Sequence, residues 1–218
     1  MFTSNMLFPP IPRSAFEFNE AFVQAVKDND LEKVQSFCNE KQNTRSYEEA
    51  CHAAVKNHNL TIFTLLAESY TKEHKIRNIH NIPNYIMVYD ALDILVYYVS
   101  CKAFDLSQED LIELAESNVE YEGRFGSAKR LPLKCINYIL STVDFNQQAD
   151  VCNSLLYMKL SNKIRGDFEE YHNNPDFIEL CKTSYNLALK SANNNIYSLK
   201  KFRQSEYDFV TDFVCKHL

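Results

Sequence analysis

The sequence predicts an all-α protein built from helical hairpin repeats, with further helices packed on them towards the C-terminus. Three observations carry this. Only 3 glycines occur in 218 residues, too few for the hairpins and bulges of a sheet protein. Apolar residues recur at spacings of three and four along most of the chain. A stretch near the N-terminus repeats itself 29 residues later without a gap.

The helices follow from start signals and periodicity. Ser14–Glu17 and Ser46–Glu49 have the capping-box pattern, in which each end satisfies an orphan backbone N–H, and Ser107–Asp110 and Asp144–Gln147 are looser forms. Asn174-Pro175 sets a cap residue before a proline at the first helical position. Apolar rows such as Phe18, Phe22, Ala25 and Val26, or Leu31, Val34, Phe37 and Cys38, then mark buried faces. Helices are expected near 15–28, 31–40, 47–57, 60–72, 85–103, 108–117, 128–141, 145–164, 175–192 and 195–216, with loops at 73–84, 118–127 and 166–174. The run Tyr85–Cys101 is strongly apolar but short and contains Asp90 and Asp93. It reads as a buried core helix, because a membrane span needs about 20 apolar residues.

Composition narrows the function. Hydrophobic residues make up 45% and charged residues 24%, as in ordinary globular chains. Gly123, Gly126 and Gly166 are scattered, which argues against a phosphate-binding glycine loop. The net charge of −6 argues against nucleic acid as the main partner. The 7 cysteines are odd in number, widely spaced and without a C-x-x-C, as expected of reduced thiols in a cytosolic compartment. Met1–Pro12 lacks the basic region of a signal peptide and is broken by three prolines; residues 1–13 read as an extended arm, with Phe2, Leu7 and Phe8 free to cap the core.

Residues 18–37 align with 47–66, and six of the twenty positions are identical: Glu20/Glu49, Ala21/Ala50, Ala25/Ala54, Val26/Val55, Lys27/Lys56 and Leu31/Leu60. Each unit reads as helix, short turn, helix. Small alanines on the first helix permit close approach, and large apolar residues on the second fill the layer behind. One such pair cannot bury its apolar face alone, so the pairs are expected to stack. The pattern resembles the ankyrin repeat. Ala25–Phe37 is similar to that family's alanine-rich first helix, turn and second helix, and Ala50–Val55 looks like a worn Pro-Leu-His-x-Ala-Ala segment. Ile136–Asn146 is a fainter echo of a second helix and its following loop. The resemblance implies an α-solenoid over 14–72, with 73–218 as a helical remainder on the same core. It also implies structural roles for Ala25, Leu31, His52, Ala54 and Leu60, His52 falling where the family's histidine bonds backbone between repeats. The chain departs from the family where glycine is usual in the turn, carrying Asn29 and His58 there. The period of 29 implies shortened finger loops.

Chemistry-bearing residues give no catalytic, cofactor or metal assignment. Cys51 and His52 are adjacent on one helix and diverge by about 100°, so they do not face each other as nucleophile and base. His74 and His80, near Glu73, match no closed zinc spacing. Glu109, Asp110, Glu113, Glu116, Glu120 and Glu122 read as a solvated face. The 13 tyrosines are unusual in a chain without tryptophan, and tyrosine is enriched at interfaces. Tyr89, Tyr97, Tyr121, Tyr138 and Tyr197, with Lys200 and Lys201, are the candidate partner-binding residues. The expected function is protein–protein interaction through a helical-repeat surface, without a transmembrane segment. Worn ankyrin-like repeats in such Asn-, Lys- and Tyr-rich chains are familiar among secreted effectors of intracellular bacteria. The resemblance therefore implies a protein partner in the cytoplasm, or in a host cytosol. A cysteine-dependent hydrolase or transferase and an oligomeric structural protein are the alternatives.

Overall fold

The computed structural model describes residues 15–40, 44–73, 81–101, 106–120, 131–143, 156, 159–165, 169–194 and 204–217. Every regular element among them is a helix. No described helix is long and apolar enough to cross a membrane. The chain divides into two compact units, Met1–Ile82 and Pro83–Leu218.

Unit 1 contains α1 (Ala15–Lys27), α2 (Leu31–Cys38), α3 (Thr44–Lys56) and α4 (Leu60–Glu73). They form two hairpins that lie against each other, α1 on α3 and α2 on α4. The repeat explains the layer between them. Ala25, Ala50 and Ala54 are buried and let the first helices approach, while Phe22, Tyr47, Ile62, Phe63 and Leu66 fill the space. Phe22 meets Phe37 and Tyr47 with ring centroids 5.9 and 5.4 Å apart, and Phe18 meets Phe37 edge-on at 5.0 Å. Leu31 and Leu60, although identical between the two hairpins, stay out of this layer. They are 42% and 36% exposed at the first positions of α2 and α4.

Both hairpins turn in the same way. Asn29 (φ 57°) and His58 (φ 51°) take the left-handed conformation. Their N–H groups donate to Val26 and Val55, and the next residues, Asp30 and Asn59, donate to Ala25 and Ala54 at 3.0 and 2.9 Å. This is the Schellman arrangement, which satisfies the last carbonyls of the first helix. Asp30 and Asn59 then cap the second helix, their side chains accepting from Lys33 N (3.1 Å) and Ile62 N (2.9 Å). The two turns are tied by amides. Asn59 Nδ2 donates to Asn29 Oδ1 at 3.0 Å, and Asn57 Nδ2 donates to the Lys27 carbonyl at 3.2 Å.

The left-handed region penalises a Cβ by roughly 1–2 kcal/mol, and histidine has less local compensation than asparagine. His58→Gly is therefore expected to stabilise the protein by about 0.5–1 kcal/mol in urea denaturation, after the extra chain entropy of glycine is subtracted. Asn29→Gly is expected to give no such gain, because it removes the acceptor that Asn59 uses.

Unit 2 contains most of α5 (Ile82–Val88), followed by α6 (Leu92–Ser100), α7 (Gln108–Glu120), α8 (Leu133–Thr142), α9 (Glu169–His172), α10 (Pro175–Asn194) and α11 (Gln204–Lys216), with 159–165 also helical. Helix α8 packs on α6, α7 and α10, and α10 also carries α9 and α11. Ile86, Leu95, Cys135, Ile136, Phe177 and Val210 are fully buried in its core. Phe177 contacts Tyr171 and Phe213 with centroids 5.1 and 5.7 Å apart.

Several sequence expectations change here. The single helix expected over 85–103 is two helices, broken where Asp90 takes φ 51°. The break repeats the turn of unit 1: Asp90 N donates to Met87 O and Ala91 N to Ile86 O, both at 3.0 Å. The same turn therefore occurs a third time, between α5 and α6. The expected loop 73–84 ends earlier, since α5 begins at Ile82 with Pro83 in its first turn, where its missing N–H costs nothing. The expected cap at Ser46 is not a cap. Helix α3 begins two residues earlier, Ser46 is buried within it, and Glu49 pairs with Arg45 at 3.0 Å. The Ser107–Asp110 box does form, with Asp110 N donating to Ser107 Oγ (3.1 Å) and Ser107 N to Asp110 Oδ2 (2.8 Å). Asn174 caps α10, accepting from Asp176 N and Phe177 N. The arm at 1–13, Ser14, the Asp144–Gln147 signal and Cys152 lie outside the described residues.

Candidate functional site

The left-handed residue between α5 and α6 reaches out of its own turn. Asp90 Oδ1 accepts from Cys135 N at 2.9 Å and Oδ2 from Lys134 N at 3.2 Å. Both donors lie in the first turn of α8, whose N-cap Pro132 offers no side-chain cap of its own. Asp90 thus acts as a cap supplied from another element, and its negative charge suits the positive end of the α8 dipole. Asn137 Nδ2 in turn donates to the Asp176 carbonyl at 2.9 Å, fixing α8 to the start of α10.

A cleft of about 550 Å³ opens where these helix ends meet. Val88, Leu131, Pro132, Leu133 and the Tyr171 ring give it apolar walls. Tyr89, Asp90, Lys134, Asn174 and Asp176 supply its polar groups. Tyr171 is 5% exposed, and the Lys163 ammonium sits 5.4 Å from its ring centroid.

Of the candidate partner-binding residues, Tyr89 lines this cleft. Tyr97 on α6 and Tyr138 on α8 are half-buried on two helices that pack together, but outside the cleft lining. Tyr121, Tyr197, Lys200 and Lys201 lie outside the described residues, as do His74 and His80. Asp90, Pro132, Tyr171 and Asp176 were missed as site residues. Only Asp90 left a trace in the sequence, as a charge set inside an apolar run.

His52 is half-buried on α3. Burial holds its pKa below the ordinary 6.5, and the neighbouring Lys56 and Lys27 push it the same way. Among the described residues, no group of three His, Cys, Asp or Glu is placed to hold a metal ion.

The thiols bear on nucleophilic chemistry. Burial pushes the Cys51 thiol up to about 12, with Cys38 and Glu48 adding to the shift. Burial raises Cys181, and burial together with Asp90 raises Cys135. Burial also raises Cys38, against the opposing hydrogen bonds of Ser69 and Tyr47. A nucleophilic thiol needs the reverse shift. A maleimide-type reagent at pH 8 is expected to label exposed Cys215 first, and Cys51, Cys135 and Cys181 at least about a hundredfold more slowly until the protein is unfolded. Mass spectrometry of the labelled peptides reads this out.

The fold and these sites define an all-α protein, and no narrower class. Comparison of the chain with protein-family models, with curated proteins and with solved structures finds no match.

Proposed function

We propose that this protein is a protein-binding module whose helical hairpins stack in the manner of degenerate ankyrin repeats. The observation that carries the reading is the recurrence of one turn, at Asn29, His58 and Asp90, with the first two hairpins packed in register. Repeats of this kind present an extended surface made of equivalent positions, and such surfaces recognise other polypeptides. Half-buried Tyr97 and Tyr138 support it further, since tyrosine is enriched at interfaces. The raised buried thiols weigh against the cysteine-enzyme alternative.

The test is affinity capture from lysate with mass spectrometry, comparing wild type with Tyr97→Ala/Tyr138→Ala. A polypeptide retained by wild type and lost with the double variant is the expected result. Identical captures from the two baits would remove the tyrosine face, and no specific capture by wild type would remove the module reading altogether.

A further inference from the structure

The cleft beside Asp90 lies at the N-terminal ends of α8 and α10, a placement that ordinarily suits an anion. Here the donors are spent. Lys134 N and Cys135 N are given to Asp90, and Asp176 N and Phe177 N are given to Asn174 Oδ1. An incoming phosphate or carboxylate would find none of these N–H groups free. Among the described lining residues it would also face two carboxylates, Asp90 and Asp176, against one cation, Lys134, on a chain of net charge −6.

The same features suit a cation with an apolar stem. No described side chain pairs with the Asp176 carboxylate. Each Asp90 oxygen accepts one N–H and keeps a further lone pair. Val88 is 42% exposed at the cleft, beside Tyr89. The volume falls within the roughly 300–1,000 Å³ usual for binding sites. A planar guanidinium accepts both carboxylate partners and ring contact, and its methylene stem covers apolar surface. Resting on the protein-binding reading above, we propose that this cleft receives an arginine side chain of the partner polypeptide, its head on Asp176 and Asp90 and its stem on Val88 and Tyr89.

The test uses the full chain, isotopically labelled for amide NMR, titrated with the peptide acetyl-Ala-Ala-Arg-Ala-Ala-amide and with its citrulline counterpart. Citrulline keeps the shape of arginine and loses the charge. Saturable shifts at the Val88, Tyr89, Lys134 and Asp176 amides are expected with the arginine peptide, and affinity about tenfold lower or worse with citrulline. Asp176→Asn is expected to weaken the arginine peptide about tenfold, and Val88→Lys, which sets a fixed cation at the cleft, to abolish the shifts. Both positions are partly exposed, and unchanged thermal melting confirms that each variant is folded. Equal affinity for the two peptides, shifts spread over other acidic surfaces, or undiminished binding by Asp176→Asn would overturn the proposal. A partner lost with Tyr97→Ala/Tyr138→Ala but no shift at the cleft would refute the arginine site alone. Failure of wild type to capture any polypeptide would refute the module reading instead.

Discussion

Phe22→Ala is expected to destabilise unit 1 by about 4 kcal/mol, the largest effect of any single truncation considered. Phe22 has no exposed surface, and its ring bridges Phe37 on α2 and Tyr47 on α3. Truncation therefore removes the transfer energy of a whole ring, leaves a cavity, and breaks ring contacts worth roughly 0.5–1.5 kcal/mol each. The cavity cannot collapse easily, because Ala25, Ala50 and Ala54 already hold the first helices close. Domains hold about 5–15 kcal/mol in total, so this loss is a large fraction of the stability of unit 1. Urea denaturation followed by far-ultraviolet circular dichroism measures it. Leu31→Ala is the matched control: Leu31 is 42% exposed, and its loss should cost about 0.5 kcal/mol or less. If the two variants cost the same, the layer between the hairpins is not the core described here.

Asp90→Ala is expected to cost about 3 kcal/mol in unit 2. Two terms add. Alanine at φ 51° has a Cβ in the left-handed region without a polar group to compensate, at roughly 1–2 kcal/mol. The first turn of α8 also loses both carboxylate acceptors, at about 1–2 kcal/mol for a cap of this kind. The series separates the terms. Asp90→Gly relieves the backbone but loses the acceptors, so about 1–2 kcal/mol is expected. Asp90→Asn keeps the turn and one acceptor oxygen and should cost about 1 kcal/mol. The order Asn, Gly, Ala of increasing cost is the diagnostic result. A neutral Asp90→Ala would show that neither the turn nor the cap matters to stability.

Helix content was readable from the residues because it rests on local rules. Glycine scarcity, cap pairs such as Ser107/Asp110, and the period of apolar residues each act within a few positions. The first two hairpins were readable because their turns lie at equal spacing and six identities mark them. The third turn was not. It falls 32 residues after the second, and its matching segment shares with the second only Leu60/Leu92 and Ile62/Ile94 over the second helix. Its turn residue is an aspartate, with neither glycine nor proline beside it to announce a break. The cleft was illegible for another reason. Asp90, Lys134 and Asp176 are 44 and 42 residues apart in sequence, and nothing local to any of them encodes their meeting. Tyr89 entered the candidate list through aromatic abundance, not through any sign of a cleft.

The amide bridge between Asn29 and the Asn57/Asn59 pair spans only 28 to 30 residues of chain. The contacts that join the first two hairpins therefore close short loops, and their entropic penalty is small. Rapid acquisition of structure is the consequence, since chains dominated by near-neighbour pairings cross lower barriers than those needing distant ones. On a ribosome, both hairpins emerge before the later helices have been synthesised, so the two can dock as a pair with their side-chain amides setting the register.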